Sequence, residues 1–232
     1  MNLFENLKER VENLDSFEII KVLSSEYADK SVFASSLGME DQVITQMISQ
    51  ANKKIKIFTL DTGRLFQETY ALIDRTKEKL GVEIEVFFPD YKEVEKLTTQ
   101  KGMNSFYNSI EDRKECCHIR KIEPLKRALN GAKIWVSGLR SAQSVTRKDN
   151  LKVEFDETFG VIKLNPLLDW SLEDVEKYIK ASRIPYNPLH DNGFVSIGCM
   201  PCTRAIKEGE DIRAGRWWWE NPEQKECGLH KR

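Results

Sequence analysis

Cysteine is the most reactive side chain in this sequence, and its five copies are unevenly placed. Cys199 and Cys202 stand in Cys-x-x-Cys spacing, which can grip one metal centre, and Cys116 and Cys117 are neighbours upstream. Together they offer four thiolates to a single site. A structural zinc held by four cysteines is the plain alternative. The adjacent pair argues against it, because two neighbouring side chains can hardly converge on one tetrahedral ion, whereas a cubane offers a separate iron to each thiolate. A disulfide between neighbours would strain the intervening peptide. The fifth, Cys227, lies in Glu-Cys-Gly-Leu-His, where Gly228 gives backbone freedom and His230 can serve as proton donor, acceptor or cation. Those features suit an activated thiolate. Arg120 and Lys121 follow Cys117 at helical spacing, so a cation is expected beside the thiolates, with Lys121 a link to an anionic substrate. Arg213 and Arg216 precede Trp217, Trp218 and Trp219; they could face the same anion while the indoles anchor a hinge and mostly pack.

A second group of residues is suited to anions. Ser35-Ser36-Leu37-Gly38 ends one β-rich run and leads into a helical pattern, where small residues and a helix N-terminus favour phosphate. Glu40 and Asp41 follow and could simply cap that helix. The next β-rich run ends at Leu60, whose main chain could read an adenine edge, and is followed by Asp61-Thr62-Gly63-Arg64. There Arg64 is a candidate anion contact and Asp61 and Thr62 are candidate caps. A third run ends at Gly138, a position for close approach. Arg140 and Arg147 beyond it have the planar fork that suits phosphate or sulfonate.

These residues need a frame that gathers strand ends. β-rich runs at Ser31 to Ser35, Ile55 to Leu60 and Val82 to Phe88 alternate with helical patterns at Met39 to Gln50 and Leu65 to Leu80, the rhythm of a parallel α/β sheet. Two amphipathic helices, Asn2 to Asn13 and Ser16 to Tyr27, precede them. A helix starting near Cys117 and ending at Asn130 and Gly131 leads to a strand at Lys133 to Ser137. Leu151 to Asp156 and Thr158 to Leu164 form an antiparallel pair, and a capped helix covers Ser171 to Ala181. The expected division is a nucleotide-binding α/β domain over 1–205, carrying the four cysteines, and a mobile segment over 206–232 carrying Cys227. The chain has 232 residues with 36 basic and 37 acidic side chains, so nothing in its charge leads one to expect a general nucleic-acid binder, and any anion site is local. No run approaches the length of a membrane span, and a cytoplasmic location is expected.

In this order the motifs resemble those of the assimilatory adenosine 5'-phosphosulfate reductases within the sulfonucleotide reductase family. The resemblance runs from about Ser31 to His230 and rests on four pieces: Cys-Cys followed by Arg-Lys, Gly-Cys-x-Pro-Cys-Thr-Arg, Arg-x-Gly-Arg-Trp-Trp-Trp, and Glu-Cys-Gly-Leu-His. It implies an adenine nucleotide alpha hydrolase-like fold of ATP pyrophosphatase type, a doubly wound and mostly parallel sheet. It implies a 4Fe-4S cluster on Cys116, Cys117, Cys199 and Cys202, acting through structure and electrostatics. It further implies Cys227 as a nucleophile that becomes an S-sulfocysteine, with thioredoxin as the electron donor that releases sulfite. Ser35 to Asp41 would replace the usual pyrophosphate loop. The oligomeric state stays open, a homo-oligomer included.

Three rival readings fit the sequence less well. A reductase of 3'-phosphoadenosine 5'-phosphosulfate generally lacks the four cluster cysteines, while use of both nucleotides stays open. An ATP-dependent activating enzyme on the same fold needs a glycine-rich loop that Ser35 to Asp41 is not. A non-catalytic redox sensor leaves the Cys227 motif unexplained.

Overall fold

A computed structural model of the chain describes residues 2–143 and 150–221, so Arg147, Cys227, His230 and the expected mobile segment past Asn221 lie outside the described residues. Helices α1 (Leu3–Val11) and α2 (Ser16–Glu26) open the chain, each with a side-chain cap; Asp15 and Glu18 close a reciprocal capping box on α2. Then follow β1 (Ser31–Ala34), α3 (Met39–Ala51), β2 (Lys56–Leu60), α4 (Gln67–Leu80), β3 (Ile84–Phe87) and α5 (Tyr91–Lys101). Helix α6 (Ile110–Cys117) continues through a π-helical turn, His118–Ile122, into α7 (Glu123–Ala128). The chain then forms β4 (Ile134–Val136), β5 (Val153–Asp156), β6 (Val161–Leu164) and α8 (Leu172–Ser182), the last capped by Ser171 and Asp174.

Among the described residues the six strands form one sheet in the order β3-β2-β1-β4-β6-β5. β1 pairs in parallel with β2 and with β4, and β4 with β6, while β5 runs antiparallel to β6. The expected mostly parallel, doubly wound sheet is therefore present. Strand order reverses between β1 and β4, so their carboxyl ends flank the crevice where open α/β sheets bind ligands.

Two compact units divide the chain. Unit 1 comprises 1–59, 69–85 and 131–187, and holds the main apolar core. Phe33, Ile44, Ile48, Leu72, Val136 and Leu164 are fully buried there, each contributing about 1.5–3 kcal/mol by leaving water. Unit 2 comprises 60–68, 86–130 and 188–232. Its core is small and unusual: Phe106 and Trp217 pack with Cys117, Cys199 and Cys202.

One expected boundary is corrected. The helix bearing the adjacent cysteines begins at Ile110, capped by Ser109, rather than near Cys117. The cysteines sit in its last turn, where the π-helical segment begins. In a regular α-helix consecutive side chains diverge by about 100°. A wider turn narrows that angle, and such turns mark functional sites.

Candidate functional site

Unit 1 presents the first candidate. Ser35 is buried at the end of β1, and its hydroxyl accepts from the Leu37 N–H at 3.2 Å. Leu37 has φ of 62°, in the left-handed region, which turns the chain sharply into α3. Asp41, buried in the first turn of α3, accepts from both the Ser36 N–H and the Ser36 hydroxyl at 2.6 Å. Across the crevice, after β4, a Cβ on Gly138 would collide with the Asp41 carboxylate, so the close approach read from this glycine is to a side chain of the same unit. Arg140 is buried and donates to Glu40 from Nε at 2.8 Å and from Nη2 at 2.7 Å. The turn is thus already furnished with carboxylates. Both also complement the positive end of the α3 dipole.

Unit 2 presents the second. Cys116, Cys117, Cys199 and Cys202 line one cavity that opens to solvent, together with Arg64, Arg113, Arg120, Lys121, Phe106, Pro201 and Trp217. Each wall has a local cause. Asp61 accepts from the Gly63 N–H at 2.7 Å, and Gly63 takes φ of 70°, so the chain after β2 turns back at Thr62. The Thr62 hydroxyl lies 3.2 Å from the Cys199 sulfur, and its carbonyl accepts from Arg120 at 2.7 Å. The Met200 N–H donates to the Arg64 carbonyl, which docks the Cys-x-x-Cys turn beside that loop. Thr203 tightens the turn by donating to the Cys199 carbonyl at 2.9 Å. Arg216 fits because Gly198 has no side chain to exclude its guanidinium.

Electrostatics separate the four thiols. Burial pushes Cys202 up to about 12, with Cys199 adding to the effect. Burial also raises Cys116, against the pull of Arg120. Cys199 is fully buried, yet Lys121, the Thr62 hydroxyl, Arg216 and Arg120 outweigh that burial and bring it below the ordinary thiol value. Among the described residues, no three His, Cys, Asp or Glu side chains gather closely enough to hold a single metal ion. What the thiols share is a cavity.

The donors around that cavity fit a group rich in acceptors. Arg120 Nε, Arg216 Nε and Trp217 Nε1 are buried with no acceptor among the described residues. A buried donor left this way is costly, whereas inorganic sulfide or a substrate oxyanion would satisfy it.

The sequence-derived residues therefore fall into two sets. Ser35, Ser36, Gly138 and Arg140 come together in unit 1. Cys116, Cys117, Lys121, Cys199, Cys202 and Arg64 line one cavity in unit 2, and Arg216, whose charge pulls on Cys199 and Cys202, lies behind it on the segment that also carries Arg213. Leu60 ends β2, and Arg64 donates to the Met103 carbonyl and Asn104 while lying over the Phe106 ring. Asp61 and Thr62, read as helix caps, instead shape the loop beside Cys199. The sequence reading missed Thr62 as a sulfur contact and missed Arg113. An arginine one helical turn before a cysteine pair was the available signal for the latter.

The phosphoadenosine phosphosulfate reductase domain family matches residues 30–205. An adenosine 5'-phosphosulfate reductase of Allochromatium vinosum is 53% identical over 204 residues, covering 88% of this chain and 80% of that protein. One from Burkholderia cepacia is 51% identical over 228 residues, covering 98% and 90%. Among solved structures, a phosphoadenylyl-sulfate reductase of Candida auris in a phosphate complex superimposes with a TM-score of 0.74 at 23% identity, covering 89% of this chain and 98% of that one. An FMN adenylyltransferase of Candida glabrata reaches 0.55 at 15% identity, covering 98% and 80%. At those identities the structural matches establish the fold, that of the adenine nucleotide alpha hydrolase-like proteins.

Proposed function

The chain belongs to the phosphoadenosine phosphosulfate reductase domain family, and on that premise we propose that it reduces adenosine 5'-phosphosulfate to sulfite and AMP. The observation that carries the reading is the meeting of four cysteines, ringed by cations, in one cavity of a chain with that ancestry.

Cys116, Cys117, Cys199 and Cys202 would hold a 4Fe-4S cluster, one thiolate to each iron. The orphaned donors Arg120 Nε, Arg216 Nε and Trp217 Nε1 suit its sulfides. When bound, it would supply a compact centre whose field acts on an anionic substrate. The remaining steps belong to the chain. Cys227, placed by sequence alone, would attack the sulfonate sulfur as thiolate; a sulfur–sulfur bond forms, the sulfur–oxygen bond breaks, and AMP leaves with the electron pair. AMP is a good leaving group at neutral pH, so general acid help is hardly needed and His230 would bind the sulfonate or stabilise the thiolate. Lys121, Arg213 and Arg216 would stabilise charge growing on the oxygens. The Ser35–Ser36 turn, Gly138 and Arg140 of unit 1, with Arg147, are the residues that the sequence reading assigns to the nucleotide's anionic end. One thiolate of thioredoxin would then attack the Cys227 sulfur, sulfite would leave, and the second thiol would resolve the mixed disulfide. That dithiol supplies both electrons.

Protein purified without air, mixed with the nucleotide and examined by intact-mass spectrometry, tests this reading. A sulfonate should appear on the wild-type chain and be absent from Cys227→Ser, and thioredoxin should remove it with release of sulfite. Turnover of 3'-phosphoadenosine 5'-phosphosulfate in preference would assign the other nucleotide. An active Cys227→Ser protein would overturn the covalent route.

A further inference from the structure

Arg113 and Glu220 carry no step of that chemistry, although Arg113 also hydrogen-bonds Cys117, and their side chains are 0% and 3% exposed. Arg113 lies on α6, one turn before Cys116 and Cys117. Its guanidinium grips Glu220 with two parallel bonds, Nε to Oε1 at 2.8 Å and Nη2 to Oε2 at 2.7 Å. Bidentate geometry of this kind fixes orientation as well as charge. The same guanidinium stacks on the indole of Trp217 with its carbon 4.7 Å from the ring centroid, and Arg216 covers the ring at 4.8 Å.

Trp217 is 1% exposed and lines the cysteine cavity. It holds φ of 41°, in the left-handed region that a bulky residue avoids. Such a conformation persists only where its surroundings over-determine it. Here the Trp217 N–H donates to the Cys202 carbonyl at 3.2 Å, and the Glu220 N–H closes the turn onto the Trp217 carbonyl at 2.8 Å. The carboxylate of Glu220 then ties that turn to the helix of the paired cysteines.

We propose that Arg113 and Glu220 form a buried latch that holds Trp217 as a wall of the cysteine cavity, so that both are positioning residues for what the cavity retains. Neither touches substrate. The identity of the retained group rests on the iron–sulfur reading above; the latch itself does not.

The test uses the full chain purified without air, as wild type, Glu220→Gln and Arg113→Lys. Two quantities are read: the rate at which iron passes to a strong chelator, and the quenching of tryptophan fluorescence by acrylamide. With far-UV circular dichroism unchanged, either variant should release iron roughly tenfold faster or more, the scale expected for losing hydrogen bonds to a charged group. Quenching should rise, and in a Trp217→Phe background the same substitutions should raise it no further. Replacing the pair together, Arg113→Met with Glu220→Leu, should restore slow release, because apolar groups often substitute for a buried ion pair without loss. Unchanged release and unchanged quenching in both single variants would overturn the latch. If the wild type contains no iron, the cofactor reading fails and the quenching alone decides the latch.

Discussion

Arginines near the start of α3 and around the cysteine cavity have opposite lives. Arg140 is met by Glu40 within its own unit, and the neighbouring Ser36 is met by Asp41. Arg120 and Arg216 are just as buried, yet each keeps an Nε donor with no acceptor among the described residues. Burial of an ionic group without a full set of partners is expensive, so the two places differ in how far their own side chains satisfy them. In the first, Glu40 and Asp41 meet Arg140 and Ser36 within the turn itself. The second is complete only with something that brings acceptor atoms.

That contrast breaks most sharply at the thiols. On the proposed cluster, Cys199→Ala would remove one of four ligands, and the expected outcome is loss of nearly all bound iron while unit 1 retains its fold, read by metal analysis and circular dichroism. At the self-contained site, Arg140→Ala leaves the half-buried Glu40 carboxylate unpaired. It should cost about 3–5 kcal/mol in denaturant unfolding, as removal of one partner from a buried pair does. Cofactor content should hardly change, and a parallel loss of iron would deny that the two places are independent.

Much of the fold was legible because its causes are local. Ser171 and Asp174 announced α8 through their spacing, and the apolar runs of β1, β2 and β4 could only be buried strands. Helix α6 escaped the periodicity argument for a physical reason. Its buried face consists of Arg113 and Cys117 rather than leucines, so the pattern of Ile110–Cys117 reads as polar throughout. Helix α5 was missed similarly, with Leu97 its one buried residue. The cysteine set was legible because reactive residue types at telling spacing are rare. Pairings such as Arg140 with Glu40 and Arg113 with Glu220 were not, since an ion pair between distant positions leaves no trace in either local sequence.

Finer substitutions sharpen the same contrast. Thr62→Val removes the hydroxyl that meets Cys199 and should cost about 1 kcal/mol, seen as earlier loss of iron on denaturation. The smallest effect concerns the part-buried Arg204–Glu210 pair, beside the Cys-x-x-Cys turn. Arg204 and the Lys207 N–H hold the Glu210 carboxyl down at about 2. The contribution of this pair is therefore complete above the ordinary carboxylate value near 4.5 and is lost as pH falls toward 2. Glu210→Gln should flatten that part of an acid unfolding profile and leave neutral stability almost unchanged.

Iron and acid-labile sulfide, counted per chain on protein purified without air, bear most directly on the claim that the cysteine cavity is built around a ligand. The account predicts about four of each, with the colour of a cluster, and their joint loss in Cys199→Ala. A colourless protein carrying one zinc per chain would contradict it.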